Sequence, residues 1–180
     1  MKKEIFNEVE IPEGIEVKIS GNDVIMSKGE NKLEKHFNFN LLSVEHKDGR
    51  VIVGHKKATK IHKRMINTIA AHLRNMIKGL EEGFEYDLKI ASSHFPMNVD
   101  LQGDKAIIKN FLGEKIPRNV KVPEGAEVEI NGDMIKIKSA NKEIAGQAAA
   151  NFEQATRIKA KDKRIFQDGI FIVNKAGKEI

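Results

Sequence analysis

Thirteen residues near the start of the chain recur near its middle at a constant offset of 111 positions. Val9–Gly21 reads VEIPEGIEVKISG and Val120–Gly132 reads VKVPEGAEVEING, with eight of the thirteen positions identical. An internal repeat means a supersecondary unit used twice, and it restricts the fold more than composition does. Ile11-Pro12-Glu13-Gly14 predicts a type I turn, with proline pre-setting φ at the second position and glycine closing the fourth. Ile15, Val17 and Ile19 then alternate with Glu16, Lys18 and Ser20, the pattern of a half-buried strand. Turn residues follow, Asn22-Asp23 in the first copy and Gly132-Asp133 in the second, and lead into a second strand. The repeated module is therefore a turn plus a β-hairpin.

At 180 residues the chain accommodates two small domains, and the repeat favours residues 1–82 and 83–180, with Leu80–Gly83 as the linker. In the first half strands are expected at Glu8–Ile11, Glu16–Ser20, Val24–Ser27, Lys35–Phe39 and Val51–His55, with Asp48-Gly49 as a hairpin turn. A helix is expected from Thr59 to Leu80, its apolar stripe being Ile61, Met65, Ile69, Leu73, Met76 and Leu80. In the second half strands are expected at Phe84–Ile90, Met97–Leu101, Ala106–Lys109, Val120–Val122, Glu127–Ile130 and Ile135–Lys138. A helix follows from Lys142 to Arg157 with Asn141 as N-cap, and a short tail strand spans Gly169–Val173. The fold class is α+β: two tandem similar domains, each an antiparallel β-sheet packed against one α-helix. Aligned on the repeat, the halves do not run colinearly, and a hairpin is expected at a different chain position in each.

The sequence has no cysteine, so it has no disulfide framework and no thiolate metal site. No apolar run approaches the ~20 residues of a membrane span, and the N-terminus lacks the apolar core of a signal peptide. Walker, Rossmann and nucleophile-elbow motifs are absent. His55, His62 and His72 do not have metal-ligand spacing. No catalytic residue, metal, cofactor or small-molecule substrate is expected.

Charge is segregated. Net charge is only +5, from 31 Lys and Arg against 26 Asp and Glu. Yet no acidic residue lies between Asp48 and Glu81, a window holding Lys56, Lys57, Lys60, Lys63 and Arg64. A second cluster, Arg157, Lys159, Lys161, Lys163 and Arg164, is opposed only by Asp162. Segregated cations mark a polyanion binder. The alternation of tail cations with Ile158, Ala160 and Asp162 would place them on one edge of an extended segment, able to follow a sugar–phosphate backbone. With nine Phe, one Tyr and no Trp, mostly at core positions, shape and backbone recognition of structured RNA is expected rather than base stacking. Small residues from Ala145 to Ala150 would let a partner backbone come close, and Gln147 and Asn151 form an i, i+4 amide pair.

The two Pro-Glu-Gly modules, the Asn141–Ile158 segment NKEIAGQAAANFEQATRI and the Phe95–Arg118 segment FPMNVDLQGDKAIIKNFLGEKIPR resemble the large ribosomal subunit protein L-six family, archaeal type. The resemblance implies two related α+β domains on the ribosome in the cytoplasm. It implies binding to large-subunit rRNA near the sarcin–ricin region and the stalk base. It implies neighbouring ribosomal proteins at the stalk base and translation factors docking close by. The implied contact runs chiefly through the second domain: Ser92, Ser93 and His94, the helix start with Lys142, Gln147 and Asn151, and the tail Arg157, Lys159, Lys161, Lys163 and Arg164. Bacterial relatives carry Asp-Lys-Gln where this chain has Asn141-Lys142-Glu143, and end in a Lys/Gly-rich tail. Here the end is apolar, through Phe166, Ile170, Phe171 and Ile172, and is expected to add a strand or meet a neighbouring protein. The alternative reading is a two-domain protein-interaction scaffold with incidental basic charge, whose binding would not depend on salt.

Overall fold

The computed structural model describes residues 3–39, 42–47 and 49–180. The chain divides into two compact units, Met1–Glu82 and Gly83–Ile180.

Unit 1 contains β1 (Lys3–Glu10), β2 (Glu16–Ser20), β3 (Asp23–Lys28), β4 (Asn31–His36), β5 (Ser43–Lys47), β6 (Arg50–Ala58) and α1 (Lys60–Glu81). Two three-stranded antiparallel sheets, β1-β6-β5 and β2-β3-β4, hold the helix against their inner faces. Val9, Val24, Met26, Val51 and Val53 meet Ile66, Ile69, Ala70, Leu73 and Ile77 of the helix in one core. Gly83 leaves the helix with φ +73, a left-handed exit that glycine makes without Cβ strain.

Unit 2 contains β7 (Phe84–Ala91), β8 (Asn98–Gln102), β9 (Lys105–Lys109), a 3₁₀ turn (Phe111–Gly113), β10 (Arg118–Lys121), β11 (Glu127–Asn131), β12 (Met134–Ser139), α2 (Lys142–Ala155), β13 (Gly169–Lys175) and β14 (Lys178–Glu179). Its sheets are β10-β9-β8 and β11-β12-β7-β13-β14. The core joins Tyr86, Leu88, Ile108, Ile135, Ile137 and Ile170 to Ala145, Ala148, Ala149 and Phe152 of α2.

The two tandem α+β domains are as the sequence implies, but their correspondence is colinear. Strand pairs β1–β6, β5–β6, β2–β3 and β3–β4 reappear, six strands later, as β7–β12, β11–β12, β8–β9 and β9–β10, with the helix after the sixth strand each time. The expectation of halves that do not run colinearly is therefore corrected. The 13-residue repeat marks β1→β2 in one unit and β10→β11 in the other, two passages between sheets that are not equivalent in chain order. What repeats is turn chemistry. Ile15 N–H donates to the Pro12 carbonyl at 3.3 Å and Ala126 N–H to Pro123 at 3.2 Å, so each turn starts at proline, one residue later than expected. Gly14 and Gly125 then occupy the third turn position with φ +91 and +85, as type II turns demand.

Other differences are local. β1 begins at Lys3, five residues before the expected Glu8, and β4 ends at His36, leaving Phe37 and Phe39 as buried loop aromatics. β5 is a polar edge strand whose sequence, SVEHK, carries no apolar alternation. Asp48 of the expected hairpin turn lies outside the described residues. Ile61 is 62% exposed while Ile66 is fully buried, so the inner stripe of α1 is displaced from the one expected. The apolar end of the chain adds strand β13 beside β7, with Ile170 fully buried.

Candidate nucleic-acid interface

Ser92, Ser93 and His94 lie in the exposed loop between β7 and β8. Asp168, at the entrance to β13, holds that loop. Its Oδ1 accepts from the backbone N–H of Ser93 and from that of His94 (3.2 Å), and its Oδ2 lies 2.6 Å from His94 Nδ1. Asp168 is 3% exposed. Burial raises its carboxyl pKa. The Ser93 N–H, the His94 ring and the His94 N–H all favour the anion and outweigh burial, leaving the group below its ordinary value. An ionised carboxylate has no proton to donate, so His94 Nδ1 carries the shared hydrogen and Nε2 is left for a partner.

The tail closes on the same loop. The Phe166 ring stacks on His94 at 5.1 Å between centroids, and Lys161 Nζ lies 4.7 Å from the Phe166 centroid. Lys161 also acts electrostatically on Glu114. Arg157 and Lys163 line one groove of about 630 Å³ together with Gln154, Gln167, Phe166 and Phe171. The tail is not an extended strand. Ala160 has φ +54, Arg164 N–H donates to Asp162 Oδ1 at 2.9 Å, and Phe166 N–H donates to the Asp162 carbonyl at 2.9 Å. The chain therefore turns at Asp162, and alternation in sequence does not put the cations along one edge. Arg164 is bound to Asp162 at 2.8 Å, holding that carboxyl below its ordinary range and withdrawing one cation from the cluster.

Helix α2 contributes differently. Asn141 caps it by accepting from Glu143 N–H at 2.9 Å. Gln147 Nε2 donates to Asn151 Oδ1 at 2.8 Å, and Asn151 Nδ2 donates to the Lys121 carbonyl at 2.9 Å. The amide pair thus ties α2 to β10. At Gly146 the helix lies close on β7: a Cβ there would come 3.3 Å from the Tyr86 hydroxyl. Lys142 stands apart from the tail, over the Phe84 ring (5.7 Å) at the far end of a 14-residue helix about 20 Å long.

Two residues that sequence reading passed over organise this surface. One is Asp168, 74 residues from the His94 it holds. The other is Arg118. Its Nε and Nη2 grip Glu114 (2.7 and 2.5 Å), its Nη1 donates to the Ala155 carbonyl at 2.7 Å, and its guanidinium lies 4.3 Å from the Phe111 centroid. The Arg118 hydrogen bond holds the Glu114 carboxyl below its ordinary range.

In unit 1, Lys60, Lys63 and Arg64 line an open groove of about 740 Å³ on α1 with Ile61, Asn67 and His72. Lys56 and Lys57 precede it, exposed, at the end of β6. The His55 and His62 rings lie 4.5 Å apart between centroids, tilted by 33°. Lys57 N–H donates to His55 Nδ1 (2.9 Å) at the end of β6, and Thr59 N–H to His62 Nδ1 (3.3 Å) at the helix start. Among the described residues, no group of three or more His, Asp or Glu is placed to hold a metal, and no helix is long and apolar enough to cross a membrane.

The sequence pattern of the family described as Ribosomal protein L6 matches residues 11–83 and again residues 95–169. The chain belongs to the ribosomal protein L6 family. The two matched stretches start 84 residues apart, in keeping with the colinear strand correspondence and not with the offset of 111. The large ribosomal subunit protein uL6 of Methanococcus vannielii is 45% identical over 174 residues, covering 97% of this chain and 96% of that protein. The uL6 protein of Methanosarcina mazei is 45% identical over 177 residues, covering 98% and 100%. The resemblance to an archaeal-type L6 protein is borne out, and these relatives are ribosomal structural proteins, not enzymes.

Proposed function

We propose that unit 2 is the main rRNA contact of this chain, meeting large-subunit rRNA near the sarcin–ricin region and the stalk base, close to the elongation-factor site. As a member of the ribosomal protein L6 family, the chain is a structural constituent of the large ribosomal subunit and works in the cytoplasm with it. Neighbouring ribosomal proteins at the stalk base and passing translation factors complete its surroundings in this reading. The observation that carries the reading is the Asp168-centred junction. One buried carboxylate holds the Ser92–His94 loop, the Phe166 ring of the tail stacks on His94, and Lys161 lies over that Phe166 ring. Ser92, Ser93 and His94 Nε2 supply polar groups, Arg157, Lys159, Lys161 and Lys163 supply charge, and Lys142 extends the surface at the far end of α2. Lys56, Lys57, Lys60, Lys63 and Arg64 form a secondary phosphate-binding patch on unit 1. Contacts of this type set position and carry the salt dependence of binding.

Changing Arg157, Lys159, Lys161 and Lys163 together to Gln tests the reading. The variant is expected to fold, because all four side chains are exposed, and to be lost from large subunits at moderate salt. Retention equal to the unaltered chain contradicts it.

A further inference from the structure

The chain carries its own comparison, because its two units repeat one strand order. Strand β7 has a neighbour on each side: β12 on one and β13 on the other. Its counterpart β1 has only β6 among the described residues, and the edge equivalent to the one β13 covers is open. Every other outer strand of the shared architecture is an edge in both units, so β1 is the position where the units differ.

β1 is long and regular for an edge, and its outward charges are chiefly carboxylates. It has eight residues, against two to six for the other edge strands β2, β4, β5, β8, β10, β11 and β14. It contains no proline, and its one irregularity lies at the terminal step between Lys3 and Ile5. A long, regular edge presents a row of unsatisfied N–H and C=O groups, ready to pair with another strand. Side-chain chemistry selects the partner. Ile5, Asn7 and Val9 face the core, while Glu4, Phe6, Glu8 and Glu10 face out. Three carboxylates on one face repel phosphate and favour a cationic strand. Arg50 already satisfies Glu8 and Glu10 from the β6 side, at 3.2 and 3.1 Å, which shows that this face takes cations in register. Phe6 is 41% exposed and lies across Gly54, whose missing Cβ makes room for the ring, so it offers an apolar platform amid the acids.

We propose that the free edge of β1 receives an extended, basic segment of a neighbouring protein of the large subunit, added antiparallel as β13 is added to β7. Main-chain hydrogen bonds would supply the affinity, and Lys or Arg at alternate positions would meet Glu4, Glu8 and Glu10. The inference rests on membership of the subunit, not on where unit 2 meets RNA, so failure of the rRNA-site reading leaves it standing.

Two measurements on purified large subunits test it. The first is amide hydrogen exchange of β1 in the free chain and in the subunit. Strand addition is expected to slow the outward-pointing alternate amides of β1 about 100-fold or more on assembly, leaving those bonded to β6 little changed. The second places benzoyl-phenylalanine at position 6 and identifies the photo-crosslinked partner. A crosslink to an extended Lys/Arg-rich protein segment, with alternate-amide protection in the unaltered chain, supports the proposal. Exchange of β1 as fast in the subunit as in the free chain overturns it. So does a crosslink to rRNA, or a protein crosslink without alternate-amide protection.

Discussion

Replacing Arg118 with alanine should loosen unit 2 by about 2 kcal/mol, and each part of that figure comes from a contact. The Ala155 carbonyl, at the C-terminal end of α2, loses a charged donor at 2.7 Å, worth about 1 kcal/mol. The two-pronged pair with Glu114 contributes about 0.5 kcal/mol, because the Glu114 side chain is 40% exposed and water screens it. Guanidinium over Phe111 adds about 0.5 kcal/mol. The assay is urea unfolding followed by tyrosine fluorescence. Tyr86 is the single tyrosine, there is no tryptophan, and Tyr86 is buried in unit 2, so the signal reads that unit alone. With an m-value of about 1–2 kcal/mol/M for a domain of this size, the midpoint should fall by about 1–2 M. Lysine at position 118 keeps charge but not the planar fork, and should recover about half of the loss. Acid gives a second readout. Glu114 is held below its ordinary 4.5 by the Arg118 hydrogen bond, so its contribution is full above that value and disappears as pH falls through the lower, folded-state pKa. The Arg118→Ala protein should lack this component. A midpoint shift under about 0.3 M would show that the carbonyl and Phe111 find equivalent partners without Arg118, and would refute the reasoning.

Two further outcomes follow from packing. Ile66→Ala empties a fully buried site and should cost about 2–4 kcal/mol, whereas Ile61→Ala, at 62% exposure, should cost under about 0.5 kcal/mol; far-UV circular dichroism during thermal unfolding separates them. Gly146→Ala should be close to neutral, because about 1 kcal/mol of helix propensity is offset by a 3.3 Å approach to the Tyr86 hydroxyl, while Gly146→Val should destabilise and change the Tyr86 emission.

Much of the fold is legible in local chemistry. Alternation in Glu16–Ser20 and Glu127–Asn131 gives strands, and Asn141 before Lys142 gives a helix start. What misled was the strongest signal. The Pro-Glu-Gly repeat reports a backbone requirement, a positive φ at Gly14 and Gly125, and that requirement arises wherever the chain passes between sheets with this turn. The colinear repeat is carried by strand order, in which Met26 and Ile108 fill similar places without similar sequence. Edge strands β5 and β14 left no apolar trace because β5 sets a single apolar side chain, Val44, against the core and β14 sets none. At the site, the basic residues were legible as charge, but their arrangement was not. Asp168 sits 74 residues from His94, a separation that no local pattern spans, and a single Asp162 turns a tail whose alternation suggests a straight strand.

The most direct measurement is binding of the purified chain to a large-subunit rRNA fragment containing the sarcin–ricin hairpin, across a salt series, beside an unrelated RNA of equal length. The account predicts a preference for the fragment that persists at moderate salt, with log affinity falling by about 0.7–0.9 per phosphate contact for each tenfold rise in salt. Equal affinity for both RNAs, abolished by salt together, would leave only a basic surface and contradict it.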